Sequence, residues 1–531
     1  MTAQEFVADV LVLGGGPAGT WAAHAAASRG AHVKLADKGF CGSSGATAAA
    51  GTGVWYVEPD PAKRQAAMAS RDAIGGYLAD PAWMERVLER TYRGINELGD
   101  WGYPFPLDDG GLPRRNSLQG PEYMRLMRRR VRAAGVHIFD QAPALELLLD
   151  ENGAVAGAAG VFRQKNEAWI CHARAVVIAT GGCAFLSNGL GCNVLTGDGY
   201  LMAAEAGAEF SGMEFSNAYA ISPAFASVTK TLFYNWATFT DETGAVISGA
   251  ASKGGRSVIA RSLMEGQVYA RLDKADPATR SSMRAAQPNF FLPFDRMGID
   301  PFTQRFPVTL RLEGTVRGTG GLRIVNDSCA TSVRGLYAAG DAATRELICG
   351  GFTGGGSHNA AWAMSSGHWA GQAAATHARA VGAVGSSAGR RIHHAGGAAL
   401  ADRGHHPIDD RDLVKAVQAE VFPFERNYFR TARGLEEALS ALDHRWRKAR
   451  QAAPASLEDI VKTREAIAML ATARWMYRSA LARTETRGMH RRMDYASTDP
   501  RQRHSLATGG LDEVWVRELP PIVRTDLVRA A

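Results

Sequence analysis

Residues 8–53, ADVLVLGGGPAGTWAAHAAASRGAHVKLADKGFCGSSGATAAAGTG, spell out a strand, a glycine-rich turn, a helix, a second strand ending in an acid, and a second glycine-rich loop. The apolar run Val10-Leu11-Val12-Leu13 leads directly into Gly14-Gly15-Gly16-Pro17-Ala18-Gly19, which is G-x-G-x-x-G with Gly14, Gly16 and Gly19 as its glycines. The three glycines serve separate purposes, namely a tight turn, close approach of backbone to a pyrophosphate, and close helix–strand contact. The alanine-rich helix from Pro17 to Ser28 points its N-terminal amides and positive dipole end at the phosphates, and Gly30 ends it. A second strand, Ala31 to Ala36, delivers Asp37, 18 residues after Gly19. There a carboxylate can accept both hydroxyl protons of an adenosine ribose. Strand, helix, second strand and acid in this order predict an adenine-dinucleotide seat. Lys38 and the second loop, with Ser43, Ser44, Gly45, Thr47, Ala49 and Gly51, complete the expected contacts on this side.

A signal far downstream selects the dinucleotide. Arg334-Gly335-Leu336-Tyr337-Ala338-Ala339-Gly340-Asp341 is a short apolar strand ending in Gly-Asp, and Gly354-Gly355-Gly356-Ser357 follows as a glycine-rich helix start. Asp341 at that strand end can bind ribityl hydroxyls, and amides near Gly356 and Ser357 can stabilise negative charge on a reduced flavin ring. NAD has no ribityl chain to hold. Between the two signals, Ala175-Val176-Val177-Ile178-Ala179-Thr180-Gly181-Gly182 is another buried strand running into a turn, with Thr180 and Gly181 beside the dinucleotide. The three signals together imply FAD.

The chain has 531 residues, 46% of them hydrophobic, enough for two or three domains with full cores. Its 59 glycines exceed the average share of about 7%, as expected of a cofactor seat built from backbone loops. The net charge of +7 is modest. Much of the basic excess sits in local runs such as Arg125, Arg128, Arg129, Arg130 and Arg132, read as a solvated helix face, so no nucleic-acid partner is expected. No stretch of 18 apolar residues and no basic-then-apolar N-terminus occurs, so the protein is expected to be soluble, without a membrane span. Six cysteines show no C-x-x-C and no metal-ligand clustering, which points to the cytoplasm and to no metal site. Cys183 and Cys349 border glycine loops but read as structural thiols.

Glu146–Asp150 and Ala154–Phe162, joined by Glu151-Asn152-Gly153, predict a hairpin that continues through Trp169–Ala175, an antiparallel meander inserted in a parallel sheet. From Ser222 the pattern changes to aromatic clusters and prolines, then returns to dinucleotide signals at Asp341. The expected fold is α/β, a Rossmann-like split FAD-binding domain (1–221 and 319–381) with an inserted α+β capping domain (222–318). A linker (382–407) carrying His393-His394 and His405-His406 follows, then a C-terminal helical domain (408–531) with helices over Leu413–Arg450 and Leu457–Thr484.

Thr196-Gly197-Asp198-Gly199, Gly207-Ala208-Glu209 and Met213-Glu214-Phe215, together with Ala482-Arg483-Thr484-Glu485-Thr486-Arg487-Gly488-Met489-His490, make the chain resemble the flavoproteins of succinate dehydrogenase, fumarate reductase, L-aspartate oxidase and adenylylsulfate reductase. The resemblance spans nearly the whole chain and adds Asp198 to the cofactor set. It also shows departures. Where membrane-bound members attach FAD through a histidine, Ser43–Gly51 has none, so the flavin is expected to be non-covalent. QFHPT becomes Ser216-Asn217-Ala218-Tyr219-Ala220, HYTMGG becomes Val316-Arg317-Gly318-Thr319-Gly320-Gly321, and the carboxylate-clamping arginine of NRLGGNS falls at Phe352. Two histidines and an arginine of the dicarboxylate site are thus missing, which argues against succinate or aspartate as substrate.

Arg256-Ser257-Val258-Ile259-Ala260-Arg261-Ser262 is similar to the capping-domain segment whose first arginine handles the proton, which makes Arg256 the lead catalytic candidate, with Tyr219 and His358 beside it. Asn217, Tyr234, Asn235, Arg317, Arg345 and Glu346 are further candidates for substrate contact. The expectation is a flavin dehydrogenase or oxidase moving a hydride from a small, less anionic organic molecule to flavin N5. Its electron acceptor would be oxygen, a quinone or an iron-sulfur protein, and a homo-oligomer is compatible. The alternatives are a flavoprotein subunit feeding an iron-sulfur partner, and a non-catalytic flavin-binding or RNA-associated protein.

Overall fold

The computed structural model describes residues 3–107, 110–229, 232–353, 355–382, 391–400, 408–453 and 456–521. Eight strands form the main sheet: β1 (Gln4–Leu13), β2 (Val33–Ala36), β3 (His137–Phe139), β4 (Ala144–Asp150), β5 (Val155–Phe162), β6 (Glu167–Ile178), β7 (Leu336–Ala338) and β8 (Ile392–His394). Their order is β8-β4-β5-β6-β1-β2-β3, with β7 paired to β6 outside this path. β1, β2, β3, β6 and β7 run parallel, and the runs Val10–Leu13 and Ala175–Ile178 are buried on both faces, as continuous apolar parallel strands must be. β4, β5 and β6 form the expected antiparallel meander. Its turn is set by Gly153 at φ +72° and by the Asp150 carboxylate, which accepts from the amides of Asn152 and Ala154.

The register decides where the site lies. Leu13 pairs with both Ala36 and Ile178, and Ile178 with Ala338, so four strands end at one level. The turns after them carry Gly14, Asp37, Thr180 and Asp341, segments far apart in sequence delivered to the carboxyl edge of one sheet, where open α/β sheets bind ligands. Helix α1 (Pro17–Ala27) packs on α2 (Gly355–Val381) so closely that a β-carbon on Gly367 would come within 2.3 Å of the Ala18 carbonyl. Alanine on one helix and glycine on the other permit that approach.

The cap is built on an antiparallel sheet in the order Ala218–Pro223, Phe306–Glu313, Val268–Arg271, Thr238–Thr240, with helices Arg256–Glu265, Pro277–Ala286 and Pro288–Met297. Its first strand begins at Ala218, ahead of the expected change of pattern at Ser222. The C-terminal helices are Asp410–Val421, Ala432–Ala449 and α3 (Leu457–Ala482); Pro423 breaks the first expected helix, and Thr431 and Ser456 cap the later ones.

Two features differ from the sequence expectation. Beyond α3, Leu506–Gly509 and Trp515–Glu518 are strands, joined to Phe210–Ser211 and Gly321–Leu322 in a small sheet, so the C-terminal region is not purely helical. Such two- to four-residue strands gain their stability from partners distant in sequence, and local periodicity does not reveal them. Part of the expected linker is also structured: β8 pairs antiparallel with β4, and His394 Nδ1 lies 2.8 Å from Glu146 Oε1. His405-His406 lies outside the described residues. Among the described residues no helix is long and apolar enough to cross a membrane, no metal-ligand cluster occurs, and all six cysteines are free and buried.

Candidate functional site

A cavity of about 600 Å³ runs along the carboxyl edge of the sheet and under the cap. Its inner wall is the first glycine turn. Gly14 has φ +106°, and a β-carbon there would lie 2.3 Å from the Ala179 carbonyl; one on Gly19 would lie 1.8 Å from the Gly14 carbonyl. Gly16 is different, because its φ of −74° is ordinary and a β-carbon there would meet nothing within 4 Å. The space kept open over Gly16, at the N-terminus of α1, is where a pyrophosphate fits. Gly14 and Gly19 are thus set by backbone crowding, and Gly16 faces open space.

Asp37 follows β2 at the edge of the cavity, where the sequence places the adenosine end. Its Oδ2 accepts from the Gly15 amide at 2.6 Å, and its Oδ1 from the Gly39 amide and the Ser44 hydroxyl, both at 2.8 Å. A carboxylate offers about four lone pairs, so three are used within the protein, leaving capacity for one ribose hydroxyl rather than both. Lys38 donates to Thr196 Oγ1, Asp198 Oδ2 and Glu465 Oε1 at 2.8, 2.6 and 2.9 Å. Burial works against its charge, but Asp198 and Glu465 outweigh it and raise its pKa. Lys38 and Asp198 therefore line the cavity as one ion-paired unit that ties the cofactor loop to α3.

Pro17, Ala18, Ser44, Gly45, Thr47, Gly51, Thr180, Gly181, Gly340, Asp341 and Ser357 also line the cavity. Ser43 and Ala49 do not: Ser43 is exposed, and the Ala49 carbonyl accepts from Asn289 of the cap. Gly356 falls within α2, but its surroundings lie outside the described residues. Asp341 accepts from Arg345 Nη1 at 2.5 Å, and burial pushes its carboxyl pKa upward against the pull of Arg345. Cys192 lines the wall, and burial pushes its thiol up to about 12, which favours the neutral form.

The far end lies beneath the cap. Arg256, at the start of its helix, donates through Nε to the Ser252 carbonyl at 3.1 Å and through Nη1 to the Tyr219 carbonyl at 2.9 Å. Burial lowers its pKa. Glu313 accepts from Thr229 Oγ1 at 2.8 Å and stands 3.7 Å from Arg317 Nε. Asn235, Arg71, Phe352 and Asn359 complete this wall.

Several candidates from the sequence lie elsewhere. Tyr219 is buried with its hydroxyl donating to the Val421 and Phe422 carbonyls at 3.0 and 3.2 Å, so it joins the cap to the helical domain. His358 packs on Trp55 with ring centres 4.5 Å apart, outside the cavity lining. Asn217 donates to the Asn427 and Met489 carbonyls, and Tyr234 sits in the aromatic core of the cap. Arg345 grips the Thr315, Val316 and Gly318 carbonyls.

Glu346 belongs to a buried network around Glu214 and Arg483. There Arg483 pairs with Glu214 and Glu485, Arg487 pairs with Glu485, and Arg430 donates to His490 Nδ1 at 2.8 Å. The Met213-Glu214-Phe215 and C-terminal signatures are thus two halves of one structural contact.

Arg71 and Glu313 were not anticipated. The signal for Arg71 was present: it falls one turn after Met68 on the inward stripe of the helix Pro61–Ile74.

The FAD binding domain family matches residues 9–223, and the fumarate reductase flavoprotein C-terminal family matches residues 415–517. The chain is 28% identical to L-aspartate oxidase of Mycobacterium bovis over 95% of its own length and 96% of that protein's. It is 25% identical to a subunit of the fumarate reductase (CoM/CoB) of Methanothermobacter marburgensis, over 95% and 98%. Its fold is similar to that of the E. coli quinol fumarate reductase, with TM-score 0.83, 20% identity and 98% of each chain covered. Adenylylsulfate reductase of Archaeoglobus fulgidus is similar at TM-score 0.77 and 18% identity, covering 98% of this chain and 97% of that one. With a cavity shaped for the dinucleotide and both family signatures in place, the chain belongs to the succinate dehydrogenase, fumarate reductase and L-aspartate oxidase family of FAD-dependent oxidoreductases.

Proposed function

We propose that this oxidoreductase acts on a small organic substrate other than a C4-dicarboxylate and holds its FAD non-covalently. The observation that carries the reading is Phe352 in the cavity wall. By resemblance this is the place of a carboxylate-clamping arginine, and an aromatic ring cannot replace its paired N–H donors. Val316 lines the same wall where the resemblance puts a histidine. The segment Gly45-Ala46-Thr47-Ala48-Ala49-Ala50 carries no histidine, and burial pushes the nearby Cys41 thiol up to about 12, too high for attack on a flavin.

When bound, the flavin supplies a two-electron acceptor whose N5 takes a hydride. The protein's own part is positioning and proton handling. The Ser252 and Tyr219 carbonyls fix the Arg256 guanidinium at the cap end of the cavity. Its burial, which lowers its pKa, eases transfer of a proton between it and the substrate. Glu313, between Thr229 and Arg317, is a carboxylate of the same cavity that can take that proton onward. Val228 and Leu232 add apolar side chains to the cavity wall.

Acid precipitation followed by anaerobic flavin bleaching across a metabolite panel tests the reading. Colour is expected in the acid supernatant, with bleaching by a compound outside the C4-dicarboxylates. Robust turnover of succinate or fumarate would refute it. A second reading, in which the chain passes electrons to an iron-sulfur partner within a complex, is supported by the relative named as a subunit. Copurification with an iron-sulfur protein, with reoxidation very slow in air, would favour it.

A further inference from the structure

We propose that Arg71 is the anion receptor of the substrate site, so that the substrate is an organic acid whose carboxylate seats on Arg71 and whose apolar body lies against Phe352. The proposal rests on the reading above and names the substrate class of the same site.

Arg71 reaches the cavity from the helix Pro61–Ile74 and is only 6% exposed, yet it lines the cavity wall. Its guanidinium is a cationic planar fork of N–H donors. Buried charge is costly unless an acid or several good acceptors answer it. Here the answer is incomplete. Among the described residues no carboxylate stands within ion-pair distance; Nη2 donates to the Cys349 carbonyl at a long 3.4 Å, and the buried Nε has no partner. The guanidinium carbon sits 5.9 Å from the centre of the Phe352 ring, a contact that leaves the planar fork of donors unfilled.

Of the other cavity cations, Lys253 is exposed to solvent and three are engaged. Arg317 faces Glu313, Arg256 has two carbonyl acceptors, and Lys38 is held by two acids. By resemblance the position of Phe352 belongs to an arginine, and in this chain a cation stands over that ring from the helix Pro61–Ile74. The receptor has been moved rather than erased, and its new neighbour is apolar. A carboxylate joined to an aromatic or aliphatic body satisfies both surfaces at once.

Benzoate and its neutral isostere benzamide serve as probes, titrated against FAD-loaded protein by perturbation of the flavin spectrum. Benzoate is expected to bind at least about tenfold more tightly than benzamide, and Arg71→Gln to remove that preference while leaving FAD affinity unchanged. Arg71→Lys, which keeps the charge and loses the fork, falls between. Equal binding of the two probes to the wild type, or no perturbation by either, overturns the proposal without any variant. So does loss of FAD by Arg71→Gln alongside benzoate binding, because Arg71 would then serve the cofactor. A colourless wild type that refuses FAD would instead sink the flavoenzyme reading itself.

Discussion

Gly14 and Gly16 stand two residues apart and are glycine for unrelated reasons. At Gly14 the backbone is left-handed and the Ala179 carbonyl fills the place of a side chain. Alanine there carries about 1–2 kcal/mol from φ alone, with the clash added to it. At Gly16 neither restriction applies, since its φ is ordinary and its side-chain space is empty. The two substitutions should therefore separate folding from binding. Gly14→Ala is expected to lower the melting temperature of the protein freed of FAD. Gly16→Ala should leave that melting temperature within about 1–2 °C of wild type and weaken FAD binding at least about tenfold in a fluorescence titration. An unaltered FAD affinity for Gly16→Ala would mean that the pyrophosphate does not pass over this residue.

Buried elements carry charge as well as shape, and Glu346, from the short helix Glu346–Cys349, is the clearest case. Burial, then the nearby Glu214, push its carboxyl up to about 8 from an ordinary value of 4.5. The folded state therefore holds a proton that the unfolded chain releases at lower pH. With more protons bound when folded, stability falls as pH rises from about 4.5 to about 8. Thermal melts should show this decline, on the order of a few °C, and Glu346→Gln should flatten it; a variant with the wild-type slope would assign the dependence to another group. The same network explains what the sequence did and did not disclose. Glu214 and Arg483 belong to motifs visible as strings, but their pairing across 269 positions is a property of the fold. The runs Val10–Leu13, Ala175–Ile178 and Leu336–Ala338 were legible because parallel strands covered on both faces are apolar there. Tyr219 and His358 were misplaced because residue type says nothing about direction. Tyr219 turns its hydroxyl to carbonyls of the helical domain, and His358 turns its ring onto Trp55.

At the scale of the whole molecule, the cap is anchored along one side and lightly tied along the other. Its sheet enters and leaves through adjacent antiparallel strands, Ala218–Pro223 and Phe306–Glu313, and Tyr219 bonds that side to the helical domain. Across the cavity mouth, two side-chain hydrogen bonds join the helices Pro277–Ala286 and Pro288–Met297 to the cofactor loops: Gln119 Nε2 to the Ala286 carbonyl at 2.9 Å, and Asn289 Nδ2 to the Ala49 carbonyl at 2.8 Å. Each such bond contributes about 0.5–1.5 kcal/mol, so together they can bias an open–closed equilibrium by about five- to 150-fold without threatening the fold. Gln119→Ala with Asn289→Ala should accordingly raise amide hydrogen exchange in residues 277–297 and leave exchange in β1 and β6 unchanged. Faster exchange throughout the sheet would show that these bonds support the domain rather than its closure. Unchanged exchange in the two helices would show that apolar contact alone holds the cap down.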